Sequence, residues 1–181
     1  MLMHKGTLTL TTPRLVLRPF MLDDADDMYA NWASDPEVTK FLMWPTHTSI
    51  EVSRAVLADW TPHYAEPDYY HWAITLDGHA IGSMAAVDHD DRVGKAHIGY
   101  CIGRCWWHQG IMSEALQAVM DFLFDQVGYQ RIESRHDPRN PHSGGVMRKC
   151  GMKFEGTLRQ SDWNNQGVCD ACWYALLKSE R

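Results

Sequence analysis

The chain has 181 residues, 45% of them hydrophobic and 22% charged, which fits one soluble globular domain spanning 1–181 with a substantial core. Seventeen basic residues against 23 acidic ones give a formal net charge of −6, which disfavours nonspecific binding to nucleic acid. No apolar run approaches the roughly 20 residues of a membrane span, and the start, Met1-Leu2-Met3-His4-Lys5-Gly6, lacks the apolar core of a signal peptide, so a cytoplasmic location without membrane contact is expected.

A first strand is expected over 15–20, closed by Pro19. Asp23 and Asp24 then open a helix with Met28, Tyr29 and Trp32 on one face. Ser34-Asp35-Pro36-Glu37 has capping-box spacing, with proline where a first helical turn tolerates it. Thr48-Ser49-Ile50-Glu51 repeats that box ahead of a helix to about residue 64, whose last turn Pro62 should distort. Strands over 70–76 and 80–88 flank Asp77-Gly78, a strong hairpin turn signal. Asp90-Asp91 then turns the chain into a strand over 92–102.

Trp106-Trp107-His108-Gln109-Gly110 leads directly into a helix-period segment from Ser113. A strand, a loop holding a glycine and a helix start make an anion site, because the first helical turn presents unpaired N–H groups at the positive end of the dipole. That arrangement suits a pyrophosphate. Apolar residues at 116, 119, 120 and 123 give the helix a stripe to lay on a sheet. A short buried strand is expected over 131–135, and then a helix with Asn140 as N-cap, Pro141 in first position and Gly151 as its stop. Strands over 152–162 and 168–178, joined by Asn164-Asn165-Gln166-Gly167, close the chain. The order predicts an α/β (α+β) fold, a mixed central sheet flanked by helices, with no repeats or interdomain linker.

Five cysteines are an odd number without secretory context, so a disulfide framework is not expected. Cys169-Asp170-Ala171-Cys172 matches C-x-x-C, but residues three apart on a strand face opposite ways, and no second pair completes a zinc set. No metal is expected.

Taken in order, these pieces resemble the GNAT superfamily of acetyl-CoA-dependent N-acetyltransferases. Within it they are most similar to the branch holding the Rim-type ribosomal-protein Nα-acetyltransferases. The resemblance rests on Thr12-Pro13-Arg14-Leu15-Val16-Leu17-Arg18, the stretch from Asp35 to Leu42, Trp72 to Leu76 with Ile81-Gly82, and residues 98–113. Its most particular marks are Asn140 with Ser143, and Glu155-Gly156-Thr157-Leu158-Arg159 behind Cys150-Gly151.

The resemblance implies a GNAT fold and acetyl-CoA as co-substrate. Its pyrophosphate cradle falls on Trp107, His108, Gln109, Gly110, Ile111, Met112 and Ser113, where only the central glycine of the superfamily pattern survives. It implies carbonyl-polarising amides on the strand through Tyr100, Cys101 and Ile102, with the Tyr100 ring as possible core packing. Many relatives carry an acidic tyrosine where this chain has Met147. Ser143 matches the serine proposed for that role in the Rim-type branch, and Asn140 a cofactor contact. Read from the residues alone, the alternative for Ser143 is a first-turn serine satisfying backbone. Gly144 and Gly145 either admit the adenine end of CoA or are drift. Asp162 falls where the branch carries a catalytic glutamate. His97, whose imidazole has an ordinary pKa near 6.5, competes as the base. The acceptor is expected between the N-terminal helices and the last hairpin, among Trp32, Trp44, Trp60, Tyr64, Tyr69, Tyr70 and Trp72, or these are core. A protein N-terminal α-amine, a small-molecule amine and a noncatalytic CoA-binding role all remain open. Oligomeric state is not written in the sequence, although pairing of the last strand could support a homodimer.

Overall fold

The computed structural model describes residues 2–181; Met1, the first residue of the start considered above for a signal peptide, lies outside them. Eight strands form one sheet: β1 (Leu10–Thr11), β2 (Val16–Arg18), β3 (His71–Leu76), β4 (His79–Asp90), β5 (Lys95–Ile102), β6 (Arg131–His136), β7 (Lys153–Asn164) and β8 (Gly167–Leu177). Their order is β1-β2-β3-β4-β5-β6-β8-β7, and every neighbouring pair is antiparallel except β5 with β6. The β3–β4 turn has φ +51° at Asp77 and +87° at Gly78, the left-handed pair that a two-residue hairpin needs.

Helices cover both faces. α4 (Ile111–Asp121) lays Ala115, Leu116, Val119 and Met120 on the core with Trp72, Ile74, Met84 and Ile98 of the sheet. Burial of each large apolar side chain there contributes about 1.5–3 kcal/mol. A π-helical segment, Phe122–Val127, extends it to Gly128, and α5 (Pro141–Lys149) packs beside it. A second apolar cluster joins Phe20, Met28, Trp32 and Leu57 to Ala73 and Ala80. It carries α1 (Ala25–Met28), the π turn Tyr29–Ala33, α2 (Pro36–Thr39) and α3 (Ile50–Trp60).

Both expected capping boxes are displaced by one residue. Asp35, not Ser34, caps α2 by accepting from the Glu37 amide at 3.0 Å, while the Ser34 hydroxyl donates back to the Tyr29 carbonyl. α3 starts behind Ser49 rather than Thr48, without a side-chain cap bond. It ends at Trp60, and Thr61–Ala65 tightens into a 3-10 turn, since Pro62 has no N–H to donate. The strand expected from 92 begins at Lys95, because Asp90 accepts from the Arg92 amide and guanidinium and holds the turn open. The last strand is not the sheet edge: β8 lies between β6 and β7, so the free edge belongs to β7. No helix among the described residues is long and apolar enough to cross a membrane.

Candidate active site

The site begins where the only parallel ladder of the described sheet stops. β5 and β6 pair at Lys95–Arg131, Ala96–Ile132 and His97–Glu133, and no further. Beyond His97 the strands part, with one bridge left: the Ser134 hydroxyl donates to the Ile98 carbonyl at 2.7 Å. That carbonyl faces β6, so strand alternation turns the main-chain groups of Tyr100 and Ile102 to the same open side. Those of Gly99 and Cys101 face β4. The expectation of three freed amides is thereby corrected to those of Tyr100 and Ile102, with Cys101 belonging to the β4 ladder opposite Ser83.

Two cavities meet at this split. One, of about 590 Å³, runs along Tyr100, Cys101, Ile102, Trp107, His108, Gly110, Ile111, Met112 and Ser113 to Asn140 and Ser143. Gln109 is absent from its wall; its amide donates to the Cys105 carbonyl, and its own carbonyl accepts from Arg14. The loop curls through φ +61° at His108 and +74° at Gly110, two left-handed residues close together. Gly110 is the N-cap of α4, and no side chain caps the first-turn amides behind it. A Cβ on Gly110 would lie 3.2 Å from Lys149 Nζ. A lysine over a helix N-terminus opposes the dipole unless an anion lies between them. Lys149 has no ion-pair partner among the described residues, whereas Arg14 is tied to Glu114 at 2.6 Å. This cradle fits a diphosphate. Lys149 gave no signal in the sequence, since it lies a helix away from the loop.

The second cavity, of about 750 Å³, holds both expected bases, His97 and Asp162, between the N-terminal helices and the β7–β8 hairpin. Of the aromatic residues singled out in the sequence, Trp32, Trp44, Trp60, Tyr69 and Tyr70 line it, and Tyr64 and Trp72 do not. Trp72 is fully buried core, and the Tyr64 hydroxyl bridges the Phe20 amide and the His71 carbonyl. Phe41, Leu42, Tyr100, Cys101, Asn140 and Ser143 are common to both cavities and mark the junction.

Arg135, read from sequence only as part of a buried strand, ties the two base candidates together. Its Nε donates to Asp162 at 2.5 Å, its Nη2 to the other Asp162 oxygen at 3.3 Å, and its Nη1 to His97 Nε2 at 3.3 Å. A guanidinium can only donate, so Nε2 of His97 is an acceptor and its proton sits on Nδ1, 3.9 Å from Glu133. Burial, and next to it the Arg135 charge, push His97 down to about 4, so the ring is neutral with its lone pair engaged. Asp162 reaches this position because β7 bulges between Leu158 and Asp162, with Gln160 at φ +49°. It accepts from Arg135 and from the Trp163 amide, which leaves a carboxylate lone pair for water. The alternation Arg131, Glu133, Arg135 along β6 was the sequence signal for this polar face.

At the junction, Ser143 does not bond backbone through its hydroxyl. It faces the Tyr100 phenol at 3.1 Å, and that phenol donates to the Ser143 carbonyl at 2.9 Å. Tyr100 is therefore more than core packing. Asn140 holds the N-cap position, yet its side chain makes no cap bond and lines both cavities. Met147 is fully buried. Gly144 is explained by packing rather than by the coenzyme: a Cβ there would lie 2.4 Å from His136 Nε2. Gly145 does border the smaller cavity. Burial pushes the Cys101 thiol up to about 12, which keeps it protonated and unfit as a nucleophile. Cys169 and Cys172 have separate partners, Asn164 and Thr157.

Comparison with known proteins agrees with this architecture. Residues 14–153 match the acetyltransferase (GNAT) domain. The chain is 32% identical to the uncharacterized N-acetyltransferase p20 of Bacillus licheniformis, over 95% of this chain and 97% of that protein. A shorter stretch, 33% of this chain and 31% of the relative, is 33% identical to the ribosomal protein uS5 alanine N-acetyltransferase of Escherichia coli (strain K12). RimL, a ribosomal L7/L12 alpha-N-protein acetyltransferase solved in complex with coenzyme A, shares the fold with a TM-score of 0.84 at 21% identity, over 94% of this chain and 98% of that one.

Proposed function

The chain belongs to the GNAT family of acetyl-CoA-dependent N-acetyltransferases, and on that premise we propose that it acetylates a cationic primary amine, a protein N-terminal α-amine, by direct attack on the thioester. One domain over 1–181 supplies both halves of the site. The smaller cavity takes acetyl-CoA, its diphosphate held by the α4 amides behind Gly110 and by Lys149. The larger cavity takes the amine. The reading rests on one observation above all: the two cavities meet at Tyr100, Asn140 and Ser143, where the freed strand edge lies.

The amine enters as an ammonium and loses its proton to a water held by Asp162. Its nitrogen lone pair then attacks the thioester carbon, and the carbonyl π pair moves onto oxygen, where the freed Tyr100 amide donates to it. Such preorganised donors are worth about 3 kcal/mol each in acyl transfer. As the intermediate collapses the C–S bond breaks with its electron pair staying on sulfur, the Ser143 hydroxyl gives its hydrogen to that thiolate, and the second proton shed by the nitrogen restores the hydroxyl, so that amide and thiol both leave neutral. A reducing compartment such as the cytoplasm suits the chain's free thiols.

The name of the uS5 relative and that of RimL support a protein N-terminus as acceptor. A polyamine is the second reading, favoured by the carboxylates Glu66, Asp68, Asp88, Asp137 and Asp162 on the acceptor wall. Thiol release with acetyl-CoA over a panel of N-terminal peptides and polyamines decides. Faster turnover of peptides is expected; faster turnover of polyamines selects the second reading, and coenzyme binding with no turnover on any amine overturns both.

A further inference from the structure

Beyond the Ser134 bridge, the Tyr100 phenol carries β5 across the split to α5. The phenol meets one residue of α5 twice: it donates to the Ser143 carbonyl at 2.9 Å and accepts from the Ser143 hydroxyl at 3.1 Å. A hydroxyl carries one hydrogen and two lone pairs, so the pair has two arrangements. When Ser143 gives its hydrogen to the phenol, the phenol uses the carbonyl. When Ser143 turns its hydrogen to another acceptor, the phenol is already within reach of the vacated oxygen. Both residues border both cavities, so the acceptor to which Ser143 turns lies at their junction.

We propose that Tyr100 is a positioning residue for the reaction: its phenol holds the Ser143 hydroxyl so that the hydroxyl hydrogen faces the departing sulfur. This rests on the acetyltransferase reading above and deepens it. A phenylalanine would fill the same space and leave the Ser143 rotamer unheld. Met147, on the same helix, cannot substitute, being apolar and fully buried. The phenol itself stays protonated, since burial of its hydroxyl end raises it above its ordinary range. It therefore donates throughout and never competes with the sulfur for a proton.

The test is the ionisation of the coenzyme thiol in complexes of the full chain with CoA, followed by thiolate absorbance, in the wild type, Tyr100→Phe, Ser143→Ala and the double variant. A hydrogen bond to the thiolate lowers the midpoint of the bound thiol. The wild type is expected to titrate about one pH unit below the three variants, which should share one midpoint. On acetyl-CoA, Tyr100→Phe should lose about tenfold or more in kcat with KM unchanged, and the double variant should be no worse than Ser143→Ala. A Tyr100→Phe midpoint equal to wild type overturns the proposal, even if its melting temperature falls, because a merely structural phenol moves only the latter. Losses that multiply in the double variant overturn it too. If the wild type binds no CoA, the acetyltransferase site and this proposal fall together. If CoA binds and all midpoints coincide, the roles of Tyr100 and Ser143 at the sulfur fall while the coenzyme site stands.

Discussion

His97→Gln offers a quantitative check on how the acceptor cavity is wired. The imidazole is 6% exposed, packs edge-on against Trp173 at 5.3 Å and accepts from Arg135. Its pKa is lowered from 6.5 to about 4, first by burial and then by the Arg135 charge. The unfolded chain takes up this proton below about pH 6.5 and the folded one only near pH 4, so stability is present at neutral pH and falls as the medium is acidified through that window. At about 1.36 kcal/mol per unit, the wild type should lose about 2 kcal/mol through this residue between neutrality and pH 5. Glutamine keeps an acceptor for Arg135 and has no proton to gain. Its variant starts less stable at pH 7.5 but should give up about 2 kcal/mol less on the way to pH 5. His71, lowered by burial to about 3, continues to titrate in both proteins and cancels in the comparison. Urea denaturation at the two pH values measures the difference. A stability gap between wild type and variant that is the same at both values refutes a neutral, arginine-held His97.

Other outcomes test the remaining parts. Lys149→Met should weaken CoA binding about tenfold by calorimetry while leaving pantetheine, which lacks the diphosphate, unaffected. Gly144→Ala should destabilise the fold by about 1–3 kcal/mol, because its Cβ would meet His136; thermal melts should show recovery in the double variant with His136→Ala. Asp162→Asn should lower kcat about 10²–10⁴-fold with coenzyme affinity retained, and steady-state rates with unchanged rates would remove it as the base.

What the sequence disclosed follows the range of the forces involved. The Asp77-Gly78 hairpin, the α4 stripe and the Pro141 to Gly151 helix are set by neighbours within a few residues, and each is found in place. Capping boxes are local too, yet α2 is capped by Asp35 rather than Ser34, and α3 starts behind Ser49 with no side-chain cap bond. The site was legible as a list and not as a network. Nothing near His97 or Asp162 in sequence announces that Arg135 binds both, since three strands converge to make that contact. Tyr100 and Ser143 were each singled out for other reasons, but 43 residues separate them and only the split of β5 from β6 brings them together.

Charge is sorted between the two cavities in a way that the net value of −6 conceals. The smaller is lined by Arg148 and Lys149 with no carboxylate. The larger has five carboxylates against the single guanidinium of Arg135. An ammonium is drawn to such a cavity, but the same field stabilises its charge and so opposes the deprotonation that attack demands. The arrangement along the wall resolves this opposition. Glu66, Asp68 and Asp88 are exposed at the rim, where they attract the cation. Arg135 lies deeper, beside Asp162 and a histidine held neutral, where a positive neighbour disfavours a second positive charge. An amine moving inward in the proposed reaction passes from surroundings that favour its charged form to surroundings that favour its neutral, nucleophilic form. Arg135 thus makes the incoming amine a stronger acid, and that effect is what allows a paired carboxylate to serve.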